Sequence, residues 1–143
     1  MKSVTNLSSS NNPNSGSLYS LQKGKIPPQA VDLEEIVLGA MMIDKKGVDE
    51  VIDILHSDVF YKDTHKAIFE AIISLFEKQE PIDLKTVSYQ LKKDSKLSFI
   101  GGDVYLIGLT QKVSSSAHIE FHSRIILQKY IQRRLIKISN EII

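Results

Sequence analysis

The sequence predicts an all-α fold, and three observations carry that reading. Apolar residues recur at three- and four-residue spacing in one segment after another from about residue 31 onward, the period of helices buried on one face. A residue able to cap a helix stands ahead of most of these segments. Strand signals are confined to short stretches such as Ile54 to Phe60, too little to build a sheet.

The first 25 residues stand apart. Eleven of the first twenty are Ser or Asn, and Lys2 is their only charge. Such a segment buries too little apolar surface to offset its ordering entropy. Residues 1–25 are therefore expected to form a disordered Ser/Asn-rich tail, the alternative being a linear motif around Leu18, Tyr19 and Leu21. Pro27 and Pro28 fix their own φ and restrict the residue before them, so ordered structure is expected to begin there and continue as one domain over 26–143.

Asp32 and Glu35 have capping-box spacing, and Ile36, Val37, Ala40 and Met41 give a first helix a buried face up to Ile43. Behind Gly47, the positions Val48, Val51, Ile52 and Leu55 predict a short second helix with Asp49, Glu50 and Asp53 on its other side. Asp63 or Thr64 caps a third, whose wide stripe of Ile68, Phe69, Ile72, Ile73, Leu75 and Phe76 ends at Glu80-Pro81 and marks the centre of the core. Asp83 caps a fourth carrying Leu84, Val87 and Leu91, with Tyr89 as a further candidate for its apolar face, and it ends in the polar run from Lys92 to Lys96. Gly101-Gly102 marks a turn, and Val104, Tyr105, Leu106, Leu109 and Val113 resume helical spacing until Ser114 to Ser116.

The last segment has no Pro or Gly from Ser116 to the end of the sequence. Leu127, Ile131, Leu135, Ile138 and Ile142 make one apolar stripe, Ile119, Ile126 and Tyr130 make another, and Ile125, Ile136 and Ile143 lie outside both. One neighbouring helix cannot cover a helix apolar over about half its circumference, so this element is either wrapped by its own domain or meets another chain, and self-association is the favoured expectation.

Composition sets outer limits. With 143 residues, 42% hydrophobic, the chain has enough material for one core. Eighteen Lys and Arg against seventeen Asp and Glu leave a net charge of +1, so any nucleic-acid contact must be local. The absence of Cys excludes disulfides, Cys-ligated zinc, iron-sulfur clusters and cysteine nucleophiles. No apolar run reaches the ~18 residues of a membrane span. The expectation is a cytoplasmic protein with no membrane partner.

Nothing in the sequence composes an active site. A phosphate-binding loop needs a glycine-rich run into Gly-Lys-Ser or Gly-Lys-Thr. The only Gly-Lys pair, Gly24-Lys25, has Tyr19 in place of the first loop glycine and Ile26 in place of the hydroxyl residue. Gly101-Gly102 has no following Lys. His118 and His122 share a helix face, but Glu120 falls roughly 200° round from His118, unlike the helical zinc-protease motif. His65 beside Asp63 and His56 beside Asp58 lack a third catalytic partner, and Asp49, Glu50 and Asp53 read as a solvated face. No catalytic, cofactor-binding or metal-binding residue is assigned. The last helix is locally basic, with Arg124, Lys129, Arg133, Arg134 and Lys137 against Glu120 and Glu141. A small helical DNA-binding module using that helix is the alternative reading.

Several segments also occur in a familiar order. Pro27-Pro28 and Glu34 precede Val37-Leu38-Gly39, with Asp44 five residues on. Phe60-Tyr61, His65, Ile68-Phe69-Glu70-Ala71-Ile72, Pro81-Ile82-Asp83-Leu84 and Gly101-Gly102 with Tyr105-Leu106 and Leu109 follow. Ser116-Ala117-His118-Ile119-Glu120, Arg124-Ile125-Ile126 and Arg133-Arg134-Leu135-Ile136 complete the series. From about Ile26 to the end, this pattern resembles the N-terminal domain of the bacterial hexameric replicative DNA helicase, the DnaB-type family. Leu33 and Ile36 stand where the family has small or polar residues, and Ala30 replaces a Ser cap.

The resemblance implies a small globular helical head, 26–100, followed by a C-terminal helical hairpin, 101–143. It implies a non-catalytic collar domain that dimerises, assembles as a trimer of dimers into the parent ring, and docks primase during DNA replication. The ATP-dependent unwinding motor, with its ATP, magnesium and most of the DNA contacts, would follow residue 143, so that the chain looks like a domain excised from a larger enzyme. Within that picture Phe121, Ile125, Leu127, Ile131 and Leu135 are the expected subunit-interface residues.

Overall fold

A computed structural model describes residues 26–142, so the tail expected at 1–25 lies outside the described residues. Among them the elements are α1 (Val31–Ile43), α2 (Lys45–Val51), a 3-10 turn (Ser57–Val59), α3 (Asp63–Glu77), α4 (Leu84–Lys93), α5 (Leu97–Ile100), α6 (Gly102–Gln111) and α7 (Ile119–Ile142). The described residues contain no strand, and the all-α class stands.

Local chemistry explains the helix boundaries, including those the sequence misplaces. Asp32 and Glu35 form no capping box, because α1 already begins at Val31. Gln29 Oε1 accepts the Val31 N–H at 3.1 Å instead, and Glu35 is held by Tyr105 and Lys112. Gly47 lies inside α2, whose cap is Asp44: Oδ1 accepts the Lys46 N–H at 3.0 Å. The stretch from Ile54 to Phe60 is a turn held by Val59 N–H donating to His56 O. Asp63 is the first residue of α3 rather than its cap, and the buried Thr64 hydroxyl has no partner among the described residues. The Asp83 cap of α4 is as expected. Its carboxylate accepts the Thr86 N–H while Thr86 Oγ1 accepts the Asp83 N–H, both at 2.9 Å.

Gly101 adopts φ 108°, which a residue with a Cβ reaches only at a cost, and there the short α5 stops and α6 starts in a new direction. A Cβ on Gly39 would collide with the backbone carbonyl of Leu109, so that glycine lets α1 and α6 cross at backbone contact.

Helix α1 is the hub. It packs against α2, α3, α4, α6 and α7, and its Val37, Leu38 and Met41 are completely buried. Phe60, Ile68, Phe69 and Ile72 close the core from the α3 side, each burial worth roughly 1.5–3 kcal/mol. The core does not divide at residue 100. Leu106 and Leu109 of α6 are buried with Val37 and Leu91, so the head extends through α6. The last two helices are joined by residues 112–118, and each packs on α1 rather than closely on the other.

Candidate functional site

Helix α7 has two opposed faces. Ile119, Ser123 and Ile126 are buried against the head, and Leu127 and Tyr130 pack at the edge of the core. At 100° per residue, Phe121, Ile125, Ile131, Leu135 and Ile138 fall on the other side, within an arc of roughly 140°. Phe121 is 65% exposed, Ile131 47% and Leu135 61%, and Ile138 is also exposed. Of the five residues expected at an interface, three therefore lie open, Ile125 is half-buried at the border, and Leu127 is half-buried against the core. Ile138 extends the open strip.

Arg133 ends the contact of α7 with the head. Its guanidinium donates to Pro28 O at 2.8 Å and Val59 O at 2.9 Å. Its centre lies 5.3 Å from the Tyr61 ring and 5.8 Å from the Tyr130 ring. Burial pushes its pKa below the ordinary arginine value, against the pull of Glu34 and the two tyrosines. The sequence reading counted Arg133 among cations available to DNA, but both of its main contacts are to backbone carbonyls. Arg124 is engaged as well, pairing with Glu120 at 3.0 Å one helical turn away. Lys129, Arg134 and Lys137 remain of the basic set.

A polar network, buried at Glu34 and His65, runs from Tyr61 out to the exposed Lys112. Tyr61 N–H donates to Glu34 Oε2 at 2.7 Å. The other oxygen, Oε1, lies 2.7 Å from His65 Nδ1, and His65 Nε2 lies 2.6 Å from the Tyr105 hydroxyl. That hydroxyl donates to Glu35 Oε2 at 3.1 Å, and Lys112 Nζ reaches Glu35 Oε1. The Tyr105 hydroxyl thus bridges His65 and Glu35. Burial, then the Glu35 charge, pushes the Tyr105 hydroxyl well above the usual tyrosine range. Burial pushes the Glu35 carboxyl up as well, but Lys112 and Tyr105 outweigh it and hold that carboxyl below the ordinary value.

This network ties α1, α3 and α6 together, with His65 fully buried and both of its ring nitrogens engaged. The sequence paired His65 with Asp63, but Asp63 instead faces Lys66 at 3.6 Å. A signal for the true partner is present: Glu34, Val37, Leu38 and Met41 share one helical stripe. His56 packs edge-on against Tyr130, and the His118 and His122 rings meet edge to face. No third ligand-type side chain joins those two histidines among the described residues.

Comparison with known proteins decides the family. A sequence profile described as the DnaB-like helicase N terminal domain matches residues 26–128. The chain belongs to that family. The replicative DNA helicase DnaB of Rhodothermus marinus is 42% identical over 114 residues, which are 80% of this chain and 12% of that protein. This domain thus spans about an eighth of the length of that relative.

Solved structures agree on the fold. The N-terminal domain of DnaB helicase from Mycobacterium tuberculosis superposes with a TM-score of 0.79 at 32% identity, covering 81% of each chain. The corresponding domain from Helicobacter pylori, studied together with its interactions with primase, has a TM-score of 0.66 at 24% identity, covering 92% of this chain and 95% of that one. The family resemblance read from the sequence is therefore correct. None of the described helices is long and apolar enough to cross a membrane.

Proposed function

We propose that this DnaB-like N-terminal domain is a non-catalytic assembly and docking unit of a cytoplasmic replicative helicase. Copies pair through the open face of α7, the pairs build a collar of three dimers, and the collar docks primase. ATP hydrolysis, with its magnesium, and strand separation belong to a separate motor domain of the parent protein. One observation carries the reading: Phe121, Ile131, Leu135 and Ile138 line up on the side of α7 that the head leaves uncovered. An apolar strip of that kind is what a helix presents to a partner of like chemistry.

Sedimentation velocity over a range of concentrations tests it. The wild-type chain is expected to run as a dimer or larger, with Ile131→Asp shifting it to monomer while leaving its helical circular dichroism unchanged. A wild-type chain that stays monomeric at high concentration overturns the assembly reading. Titration calorimetry with primase tests docking separately, and no heat of binding to the assembled domain would remove that part alone.

A further inference from the structure

On the far side of the head, α4 and the turn after it present a second surface. Lys85, Tyr89, Lys92 and Lys93 fall within roughly 100° of one another on the helix, with Lys96 and Phe99 continuing past its end. All six are exposed, Tyr89 by 70% and Phe99 by 51%. Lys96 Nζ sits 5.3 Å from the Phe99 ring centre. Two concavities flank the stripe. One of about 370 Å³ is lined in part by Lys85, Tyr89 and Lys93, and the other, about 420 Å³, in part by Lys92 and Ser98.

The neighbouring acids keep their charge but are held by other groups, and none of them pairs with these lysines among the described residues. Asp83 caps α4, Asp94 accepts from Gln90 Nε2 at 3.0 Å, and Asp103 accepts from Ser88. Only Glu80, across the larger groove's partner concavity beside Tyr89, faces the stripe without such an engagement among the described residues. None of the four lysines takes part in an ion pair among the described residues. A solvated face does not need two large aromatic rings left in water. Cations interleaved with open rings suit a polyanion whose bases are free to stack, which describes single strands and not duplex.

We propose that the α4–α5 face is a binding platform for single-stranded DNA: Lys85, Lys92, Lys93 and Lys96 hold phosphates, and Tyr89 and Phe99 stack on bases. The platform is separate from α7 and does not depend on self-association.

Fluorescence anisotropy of a labelled oligothymidine, titrated with the full chain at several salt concentrations, tests this. Four lysine–phosphate contacts predict a log–log salt slope of about −3. Replacing Lys92 and Lys93 together by Ala is expected to weaken binding roughly tenfold at low salt and to reduce the slope by about 1.4. Tyr89→Ala is expected to weaken it about fivefold or more with the slope unchanged. All these side chains are exposed, so the variants keep the fold, which circular dichroism checks. The proposal fails if the wild-type chain does not bind at low salt, or if Arg134→Ala with Lys137→Ala on α7 abolishes binding while the α4 variants do not. It also fails if duplex DNA or polyglutamate competes equally and Tyr89→Ala changes nothing.

Discussion

His65 Nδ1 lies 2.7 Å from Glu34 Oε1, with both side chains out of solvent, although 31 residues separate them in the chain. The contact fastens α3 to the first turns of α1, where the helix dipole also favours a carboxylate. Glu34 is further satisfied by the Tyr61 N–H. Removing one member of a buried pair leaves the other without its partner, at a cost of about 3–5 kcal/mol. Glu34→Ala should therefore destabilise the domain by that order in urea denaturation, and Glu34→Gln, whose single amide oxygen can still accept from Tyr61 N–H or from His65 but not from both, by less. A loss below about 1 kcal/mol for Glu34→Ala would mean that the pair does not hold the head together.

How far the sequence discloses all this depends on whether the signal is local. The Asp83 cap was legible because both of its partners lie within three residues. The two faces of α7 were legible because helical period alone separates Ile126 from Leu135. The Asp32–Glu35 box was misread because Glu35 has the right spacing but is claimed by Lys112, 77 residues away. The same holds for His65, whose neighbour Asp63 conceals its pairing with Glu34, and for Arg133, whose carbonyl acceptors on Pro28 and Val59 carry no side-chain signature. Tertiary hydrogen bonds to backbone leave no spacing to find.

Glu35 gives the head an acid-sensitive link. Burial raises its carboxyl pKa, and the Lys112 and Tyr105 contacts more than reverse this, so its folded value lies below the usual 4.5. A lowered folded pKa contributes stability that is fully present above the unfolded value and is lost as pH falls through the folded one. Thermal unfolding followed from neutral pH downward should thus show a falling midpoint below about pH 4.5. Glu35→Gln should flatten that limb relative to the wild type. Identical acid limbs for the two proteins would remove Glu35 from the account.

Arg133 sets where α7 leaves the head. Hydrogen bonds from a charged donor are worth about 1.5–3 kcal/mol, and Arg133 makes two to carbonyls on different segments. Arg133→Ala should loosen the distal half of α7 more than it destabilises the core. Hydrogen exchange should then rise across residues 130–142 while the amides of α1 and α3 stay protected. Arg133→Lys, with a single ammonium in place of the planar fork, should give an intermediate pattern. Uniformly faster exchange throughout the domain would instead show that the arginine supports the whole fold.

The two faces of α7 should answer differently to the same substitution. Ile126 is 1% exposed and sits in the core cluster, whereas Leu135 is 61% exposed on the opposite side. An aspartate at Ile126 must be buried without a cationic partner, a mechanism that costs about 4 kcal/mol or more and is enough to unfold a domain of ordinary stability. At Leu135 the same aspartate stays in water within the single chain, so its direct cost to folding should be within about 0.5 kcal/mol. If copies meet through this strip, the aspartate is buried only in the assembly, and its effect appears in association rather than in folding. Paired measurements of unfolding free energy and sedimentation mass separate the cases: Ile126→Asp should lose the fold, and Leu135→Asp should keep it and lose mass. A Leu135→Asp protein with both wild-type stability and wild-type mass would place the subunit contact elsewhere on the domain.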